Sequence, residues 1–476
     1  MSDAESDPMD HPVVIDAQTR ERHPLLTQAG AKMLLRLREH PDAPRFNYAT
    51  GDRLRAEDLP TLERFRQAIA ESRIPWQPGG PPPTILARVA SWRVRVPFFR
   101  RTLAAFDGLA AAWNDLPTTS RADLALCPWE FVPDDASLER MVIYRTAGTT
   151  GHPISVPHHP IAIRCYEPLL EAALARHGAR LQVGAGEVAC FLVGAQIRTY
   201  TYAAVLTGWH EAGFAKLNIR QTEWPREGSQ HRYFAELGPR LLTGDPISFA
   251  EMMRLELPAE PLALVSTSVA MSPGLRRRLA ENYRAPVIDW YSLVETGPIG
   301  YLCPAGFGYH VLPPDLFVES LRPDGSPCAA GERGELTVTG GRNPFAPLVR
   351  YRTGDWGRVD FGVCPCGDRM PRLLELEGRV PLLIRAADGT PVSTVDISRI
   401  LREHPLLLHE FTQHADRSCE LVCRALPGGE PDPARMAVDL RRALGDLPLE
   451  IRMDPTLGER LPGKVQAYHS ELMVED

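Results

Sequence analysis

One short stretch of the sequence carries residues suited to binding an anion. It consists of Thr146, Ala147, Gly148, Thr149, Thr150 and Gly151. The two glycines permit positive φ angles, so successive backbone N–H groups can converge on one negative charge. The threonine hydroxyls add hydrogen-bond donors for phosphate oxygens. Taken alone, the stretch fits a phosphate-binding loop and a Thr/Gly-rich surface turn equally well.

Further motifs follow this loop along the sequence. They are WYSLVETGPIG at residues 290–300, LVRYRTGDWGRV at 348–359, LEGR at 376–379 and LPGKVQAY at 461–468. In this order, the segments resemble the signature motifs of the adenylate-forming superfamily, and in particular those of its phenylacetate–CoA ligase branch. The resemblance begins at about Trp113, in WNDLPTTSRADL, and reaches the C-terminus. It implies a two-step reaction, in which a carboxylate and ATP form an acyl-adenylate and a nucleophile then displaces AMP.

The resemblance assigns a role to each motif at the nucleotide. It implies that the loop grips the β and γ phosphates of ATP, with Thr150 taking part in catalysis. Glu295 would help to hold Mg²⁺, a hard cation that prefers carboxylate oxygen, and is the second residue expected in catalysis. Tyr291 would pack against the adenine, with Ser292 of the same motif also contacting the nucleotide. Asp355 would accept hydrogen bonds from the ribose hydroxyls, as an acceptor-only carboxylate can.

Two further contacts are implied near the C-terminus. Arg379, at the expected hinge between domains, matches the family's second ribose contact. Lys464 matches a mobile lysine that bridges the substrate carboxylate and the α-phosphate. A compact, flexible ammonium suits this task because it stabilises charge that develops in the transition state. A small C-terminal domain would then rotate about Arg379 between the two half-reactions.

Departures from the family pattern leave the acceptor nucleophile open. His152 stands where the phosphate loop commonly has lysine, residues 266–271 differ from the usual adenine-side segment, and the usual acidic and glycine pattern is missing after Arg379. We predict transfer of an aromatic acyl group to CoA. Transfer to an amine, a hydroxyl or a carrier-protein thiol is the rival hypothesis. A non-catalytic nucleotide-binding scaffold is a third hypothesis. The presence of Glu295, Asp355, Arg379 and Lys464 together argues against it.

The position of the family's carboxylate pocket points to two segments, GAQIRTYTYAA and GDPISF. Tyr200, Tyr202 and Phe249 would form a flat apolar slot, while Gln196 and its neighbours offer polar contacts. This set favours an aromatic carboxylic acid that carries hydroxyl or amino groups. For each of these residues, a place in the core or on the surface is the open alternative.

Four metal-ligand candidates lie in two loop-like segments rich in Gly and Pro. Cys303 and His310 belong to the first, and Cys364 and Cys366 to the second. A Cys₃His set without a secretory context fits a structural zinc site, although the spacings differ from those of zinc fingers. The phenylacetate–CoA ligase-like branch includes members whose zinc is held by such loops. Four unrelated side chains are the alternative. A closed Zn²⁺ site would connect the loops of the two motif carboxylates and would be structural, not catalytic.

The composition argues against several classes of function. The 476 residues carry a formal net charge of −7 and no Lys/Arg-rich block, which argues against a nucleic-acid partner. We find no apolar run long enough to span a bilayer, and the acidic, polar N-terminus is unlike a secretory signal. The nine irregularly spaced cysteines argue against a disulfide framework. We therefore predict a cytoplasmic protein with no membrane partner.

The hydrophobic patterns that must position these residues predict an α/β, multi-domain fold. Residues 1–135 are patterned largely as helices, for which a helical cap or a homodimer contact are both open roles. Beyond them, strands alternate with helices. The predicted strands are 188–193, 215–219, 262–266, 287–290 and 335–339, and the predicted helices are 160–177, 201–211, 233–242 and 273–283.

The pattern restarts after residue 378 as a small α+β unit. We therefore predict two domains. Residues 1–378 would form a large N-terminal adenylation domain with βαβ-type sheets. Residues 379–476 would form a small, mobile C-terminal domain that carries Lys464.

Overall fold

A computed structural model describes residues 12–71, 80–145, 154–378, 384–392, 394–459 and 467–472. Three of the predicted site segments lie outside these described residues. They are the Thr/Gly loop at 146–151 with His152, the hinge residue Arg379, and Lys464. Their roles therefore stay predictions.

The helices fall mainly before the sheets and between the parallel strands. They are α1 (Ala17–Arg22), α2 (Gln28–Arg38), α3 (Leu59–Glu71), α4 (Pro83–Arg95), α5 (Pro97–Thr102), α6 (Arg121–Leu126), α7 (Pro160–Arg164), α8 (Tyr166–Arg176), α9 (Ser229–Leu237), α10 (Pro246–Arg254), α11 (Pro273–Tyr283), α12 (Thr394–Leu401) and α13 (Pro433–Leu444). Within the described parts of the chain, no helix combines the length and the apolar character that crossing a membrane requires.

The strands form one large sheet, one small sheet and two short hairpins. They are β1 (Val142–Arg145), β2 (Ser155–His158), β3 (Val188–Gly194), β4 (Tyr202–Leu206), β5 (Ala212–Asn218), β6 (Leu241–Gly244), β7 (Ala263–Ser266), β8 (Val287–Leu293), β9 (Gly297–Leu302), β10 (Tyr309–Val311), β11 (Leu316–Leu321), β12 (Gly334–Gly340), β13 (Leu348–Asp360), β14 (Arg372–Glu377), β15 (Ile384–Arg385), β16 (Pro391–Val392), β17 (Leu406–Gln413), β18 (Cys419–Ala425), β19 (Leu449–Met453) and β20 (Tyr468–Ser470).

The large sheet has twelve strands in the order β11-β12-β13-β14-β10-β9-β8-β7-β6-β3-β5-β4. Strands β5, β3, β6, β7 and β8 run parallel, and β4 closes that edge in the antiparallel direction. The other half of the sheet, from β8 through β9, β10, β14, β13 and β12 to β11, is paired antiparallel throughout. Parallel strands require crossover connections, which helices such as α9, α10 and α11 provide. This mixed architecture confirms the predicted α/β class.

The N-terminal helices complete the core of the large sheet. Met33, Leu34 and Leu37 of α2 are buried in one cluster with Val205 of β4 and Leu217 of β5. Helices α4 and α5 pack against the antiparallel half of the sheet, in a second buried cluster. Burial of these apolar faces contributes the main favourable term for folding. The first hundred residues therefore cover the sheet, which is the structural role shown by the described contacts.

The C-terminal residues form a separate small sheet. Its order is β19-β18-β17-β20, and helices α12 and α13 pack against it over Phe411, Leu421 and Leu440. The division predicted at residue 379 falls between β14 of the large sheet and β15, in a stretch outside the described residues. The domain division itself stays a prediction.

Residues 201–211 form a strand where the pattern predicts a helix. β4 pairs antiparallel with β5 from Tyr202↔Lys216 to Leu206↔Ala212, and a 3₁₀ turn follows at Thr207–Trp209. Pairing in the sheet overrides the helical propensity of this Ala- and Leu-containing segment. The predicted helix at 233–242 is also wrong at its end. α9 stops at Leu237 because Gly238 adopts φ +51, and β6 begins at Leu241.

Candidate active site

A cavity of about 2000 Å³ lies over one face of the large sheet. Its lining includes aligned residues of four neighbouring strands, β4, β5, β3 and β6. These are Ala204, Phe214, Cys190 and Leu241, which pair in register across the strands. Ligand pockets for a single small molecule typically measure about 300–1,000 Å³. The cavity therefore has room for a nucleotide and a second group.

Tyr291 and Asp355 form the first polar pair in this cavity. β8 carries Tyr291, β13 carries Asp355, and the tyrosine hydroxyl donates a hydrogen bond to Oδ2 of the carboxylate at 2.8 Å. Burial raises the pKa of Tyr291, with the nearby Asp355 carboxylate raising it further, so the phenol stays protonated as a donor. The backbone N–H of Asp355 donates to Thr353 Oγ1 at 3.1 Å, which fixes the turn at this point of β13. An oriented carboxylate of this kind can accept hydrogen bonds from sugar hydroxyls.

Glu295 lies in the turn between β8 and β9 and is 5% exposed. Tyr351 of β13 donates its hydroxyl proton to Glu295 Oε1 at 2.7 Å. Arg121, the first residue of α6, lies 3.9 Å from the same oxygen. Among the described residues, both of these contacts are to Oε1. A buried carboxylate held this way suits a divalent cation at the cavity.

Asp289 of β8 is a third buried carboxylate that lines the cavity, and sequence reasoning missed it. It accepts hydrogen bonds from the Tyr309 hydroxyl at 2.9 Å and from the Met271 backbone N–H at 3.1 Å. Burial raises its pKa, against the lowering effect of these donors. Its position offered a signal, because a lone acid inside an apolar parallel strand next to a predicted site is unusual.

The far end of the cavity, here termed the distal cluster, is lined by Asp52, Tyr144, Arg164, Glu167 and Tyr202. Arg164 Nη1 lies 2.8 Å from Glu167 Oε1, in an ion pair whose side chains are 15% and 5% exposed. Burial raises the pKa of Glu167 to about 7, although Arg164 lowers it. Of the distal cluster, sequence reasoning identified only Tyr202.

The four predicted metal ligands converge in the structure. Their candidate ligand atoms all lie within 4.8 Å of one another. Cys303 Sγ lies 3.4 Å from Cys364 Sγ, and Cys366 Sγ lies 3.3 Å from His310 Nε2. Such spacings match the distances between neighbouring ligands around one tetrahedral ion with bonds of about 2.0–2.3 Å.

Two similar turns present these side chains. The Gly306 N–H donates to the carbonyl of Cys303 at 2.8 Å, and the Gly367 N–H donates to the carbonyl of Cys364 at 2.8 Å. Both glycines have positive φ, +78 and +85, which side chains rarely adopt. The first turn follows β9 and the second lies between β13 and β14. The cluster therefore joins two loops of the antiparallel half of the sheet.

Comparisons with known proteins give one sequence relative and several structures of similar fold. No protein-family model matches the chain. The phenylacetate–coenzyme A ligase of Thermus thermophilus is 26% identical over 329 residues, covering 62% of this chain and 69% of the relative. Among solved structures, the fold resembles a 2-hydroxyisobutyryl-CoA ligase in its postadenylation state, in complex with R3-HIB-AMP. The TM-score is 0.58, at 15% identity, with 87% of this chain and 90% of that chain covered.

An open conformation of the same ligase, with 2-HIB-AMP and CoA, gives a TM-score of 0.52 at 17% identity, covering 83% of this chain and 90% of that one. At these identities the similarity to solved structures supports the fold alone. The resemblance to a family rests on the sequence relative and on the order of the motifs. These similarities agree with the resemblance of the sequence motifs to the adenylate-forming superfamily.

Residues of two of the sequence motifs meet in the cavity. Tyr291, Ser292, Glu295 and Asp355 all line the cavity. The adenine contact of Tyr291 stays a prediction, alongside its observed hydrogen bond to Asp355. Residues at the phosphate loop, at Arg379 and at Lys464 lie outside the described residues.

The structure places the four predicted acid-binding residues in different surroundings. Only Tyr202 lines the cavity. Phe249 is 0% exposed and packs in the apolar core beneath the sheet. Tyr200 is 67% exposed, with its ring against Tyr48, and Gln196 is exposed as well. Tyr202 is the first residue of β4, whereas Gln196 and Tyr200 lie in the connection between β3 and β4 and Phe249 lies on α10.

Proposed function

We propose that the protein is an ATP-dependent, AMP-forming ligase that activates an aromatic carboxylic acid and transfers the acyl group to CoA. The observation that carries the proposal is the convergence of Tyr291, Glu295 and Asp355 in one cavity large enough for a nucleotide and an acid. The named sequence relative is a carboxylate–CoA ligase, which supports the same reaction type. The apolar lining at Phe214 and Leu241 supports an apolar body for the acid.

The first half-reaction brings an anionic carboxylate against the triphosphate, so negative charge must be neutralised and both groups aligned. Glu295 would hold Mg²⁺ through the oxygen that does not accept from Tyr351. The ion, when bound, supplies positive charge at the phosphate oxygens. Arg121, beside Glu295, adds a fixed positive charge to this region.

Asp355 would fix the ribose in this proposal. Tyr291 holds one carboxylate oxygen in place, so Asp355 presents an oriented acceptor rather than a mobile one. Arg379 is proposed as the second ribose contact from its motif alone. Orientation of the ribose places the α-phosphate in line with the acid, and such positioning accounts for a large part of catalysis in bimolecular reactions.

Lys464 is proposed to bridge the substrate carboxylate and the α-phosphate in the first half-reaction. The C-terminal unit already contributes Ser398, Arg402, His409 and Tyr468 to the cavity lining. Rotation of this unit after adenylation would remove Lys464 and admit the acceptor. CoA is the proposed acceptor. The unusual sequence after Arg379 favours an amine, a hydroxyl or a carrier-protein thiol as the alternative.

We further propose a structural Zn²⁺ held by Cys303, His310, Cys364 and Cys366. The convergence of these atoms and the paired glycine turns support a closed four-ligand site. Asp368, adjacent to the second turn, forms an ion pair with Arg176 at 3.3 Å and would steady that loop. Metal analysis of the purified protein tests the site. About one zinc per chain is expected, with loss of the metal and a lower Tm in Cys364→Ser, whereas the matched control Cys328→Ser keeps both.

The function is tested by carboxylate-dependent exchange of pyrophosphate into ATP, across benzoates, hydroxy- and aminobenzoates, phenylacetates and short fatty acids. The proposal predicts exchange with an aromatic subset and its loss in Asp355→Ala. Exposed Asp324→Ala, on a turn far along the chain from the motifs, is the control and keeps activity. ATP binding without exchange for any acid would favour the scaffold hypothesis. AMP release on adding CoA, hydroxylamine or amines then separates the candidate acceptors.

A further inference from the structure

Asp355 lies on an irregular stretch of β13, where the regular pairing with β12 is interrupted. Thr337 of β12 pairs with Arg352 of β13. The neighbouring pair joins Glu335 to Trp356, so β13 advances four residues while β12 advances two. This excess makes residues 353–355 a β-bulge, here termed the Asp355 bulge. Bulges redirect a side chain and are common next to active sites, but they leave backbone groups without their partners in the sheet.

The carboxylate of Glu335 holds this bulge from the opposite strand. Its Oε1 accepts a hydrogen bond from the backbone N–H of Gly354 at 3.1 Å. Its Oε2 accepts from Arg352 Nε at 2.7 Å and lies 2.5 Å from Arg352 Nη2. Gly354 has φ +78, a conformation that favours glycine. One side chain therefore binds both the residue before the bulge and the residue at its centre.

Thr353 provides a second anchor for the Asp355 bulge. Its hydroxyl donates to the carbonyl of Leu336 on β12 at 2.7 Å, and the same oxygen accepts from the Asp355 N–H at 3.1 Å. The Asp355 side chain accepts in turn from the Tyr291 hydroxyl on β8. The direction of the Asp355 carboxylate is therefore set by contacts to two neighbouring parts of the sheet.

Glu335 acts on Asp355 through the backbone. Both of its carboxylate oxygens are engaged by Arg352 and Gly354, and the residue is 8% exposed. Gly354 directly precedes Asp355, so a shift of the Gly354 backbone moves the Asp355 carboxylate with it. Hydrogen bonds weaken steeply when their distance and angle change, so a small shift is enough to weaken an acceptor.

We propose that Glu335 is a positioning residue for the nucleotide. Its contacts to Arg352 and Gly354 hold the Asp355 bulge in the shape that lets Asp355 accept hydrogen bonds from the ribose hydroxyls. The inference rests on the proposed function, since it takes Asp355 as the ribose contact. It adds a residue of β12 that lies outside all the sequence motifs assigned to the nucleotide.

Glu335→Gln tests the inference with little change in size. A carboxylate offers two acceptor oxygens, whereas an amide offers one oxygen and an NH₂ group that only donates. Glutamine therefore cannot accept from Arg352 and from Gly354 on separate oxygens. One of these two donors then faces the NH₂ group, and the bulge has to move.

The readout is the preference for ATP over 2′-deoxy-ATP and 3′-deoxy-ATP in acid-dependent pyrophosphate exchange. We expect wild-type kcat/KM to favour ATP by about 100-fold over at least one analogue, because sites that hydrogen-bond a hydroxyl reject analogues lacking it. Glu335→Gln should lower this preference by about 10-fold or more, mainly through KM for ATP, as expected for a small misplacement of a binding group. An equal loss for all three nucleotides, or a wild-type protein with no preference, would overturn the inference.

Glu319→Gln is the matched control for the lost ion pair. Glu319 of β11 accepts from Arg350 Nε at 2.9 Å, and Arg350 lies on β13 two residues before Arg352. Glu319 is not among the described residues that line the cavity. The control should lower Tm as Glu335→Gln does and keep the wild-type preference for ATP. Loss of the preference in the control would mean that general loosening of β13 is the cause, against the inference.

Two further variants examine the route through the bulge. Thr353→Val removes the second anchor and should reduce the same preference, so it decides the matter if Glu335→Gln does not fold. In an Asp355→Asn background, Glu335→Gln should cause no further loss of preference, since residues that act through one group are not additive. A further loss in the double variant would contradict an action through Asp355.

Binding of the three nucleotides, measured by isothermal titration calorimetry, separates this inference from the proposed function because it needs no turnover. Acid-dependent exchange with an unaltered preference for ATP in Glu335→Gln overturns the inference alone. No exchange with any acid, together with a preference in binding that Glu335→Gln reduces, overturns the proposed function and supports the role of Glu335. A wild-type protein that does not bind ATP overturns both.

Discussion

The two ends of the cavity use carboxylates in opposite ways. At the nucleotide end, Asp355 and Glu295 each accept a hydrogen bond from a tyrosine hydroxyl, which is neutral. At the distal end, Glu167 pairs at 2.8 Å with the cation of Arg164. Neutral donors orient a carboxylate without cancelling its charge, and Arg121 is the charged group beside Glu295, at 3.9 Å. An ion pair cancels the charge and leaves directional donors and acceptors.

In the proposed function, this difference separates groups that every acid would meet from groups that only some acids would meet. Mg²⁺ requires fixed negative charge and the ribose requires an acceptor, and every acid would be activated beside these groups. The distal cluster offers hydrogen bonds in an apolar surrounding, where a missing partner is costly. In the proposed function, the end of the cavity with Asp355 and Glu295 therefore serves the nucleotide.

The largest expected effect on the exchange rate comes from Lys464, which is proposed to contact the reacting carboxylate. Lys464→Ala should lower the rate of acid-dependent pyrophosphate exchange by about 10²–10³-fold, as expected for the loss of one group that stabilises transition-state charge. The measurement is the exchange rate at saturating ATP and acid. A variant with wild-type exchange would exclude the proposed role of Lys464.

A second substitution tests the nucleotide end. Asp355→Asn removes the charged acceptor beside Tyr291 and should raise KM for ATP by about 10–100-fold, the range for a hydrogen bond to a charged group. The turnover number at saturating ATP should change less, because the reacting groups are intact. Steady-state exchange with varied ATP measures both quantities. An unchanged KM for ATP would exclude the proposed ribose contact.

Tyr351→Phe is expected to have a smaller effect. It removes the hydroxyl that donates to Glu295 at 2.7 Å and leaves the carboxylate less well oriented. The Mg²⁺ concentration for half-maximal exchange should rise about 3–10-fold, corresponding to the loss of a hydrogen bond of about 1 kcal/mol. Tyr309→Phe is the matched control, because it removes a hydroxyl from Asp289 and should leave Mg²⁺ dependence unchanged. A Mg²⁺ shift of the same size in both variants would argue against a metal role for Glu295.

The smallest effect concerns the stability of the distal end. Burial raises the folded-state pKa of Glu167 to about 7, above its ordinary value of 4.5. The folded protein therefore binds this proton more tightly than the unfolded chain, and stability falls as pH rises from about 4.5 to 7. Glu167→Gln removes this dependence.

We expect the stability of Glu167→Gln relative to wild type to rise between pH 5 and pH 8 by on the order of 1 kcal/mol, measured by denaturant unfolding. Glu236→Gln, whose carboxylate lies on the surface against His40, is the control outside the cavity. A relative stability that falls with pH would mean that the Arg164 pair outweighs the cost of burying Glu167.

Sequence reasoning identified three residues that the structure brings into one cavity, because local motifs carry them, and their nucleotide contacts stay a prediction. Tyr291 and Glu295 lie four residues apart, and Asp355 lies in a contiguous block, RYRTGD. The same reasoning placed the two pairs of Cys and His ligands, since each pair lies within one segment. Their convergence in space is confirmed, whereas the metal itself stays a proposal.

The distal cluster could not be predicted in this way, because its members come from distant parts of the chain. Asp52 precedes α3, Arg164 ends α7, and Tyr202 begins β4. Their meeting depends on β4 being a strand at the edge of the sheet, where the pattern predicts a helix. Tyr200 and Gln196 were placed in the pocket from the position of the family's acid-binding segment, whereas the structure puts both in the exposed connection between β3 and β4.

The central claim is that the cavity activates an acid by adenylation, and acid-dependent exchange of labelled pyrophosphate into ATP measures this step directly. The account predicts exchange that requires both Mg²⁺ and an aromatic acid. ATP binding accompanied by no exchange with any acid would contradict it.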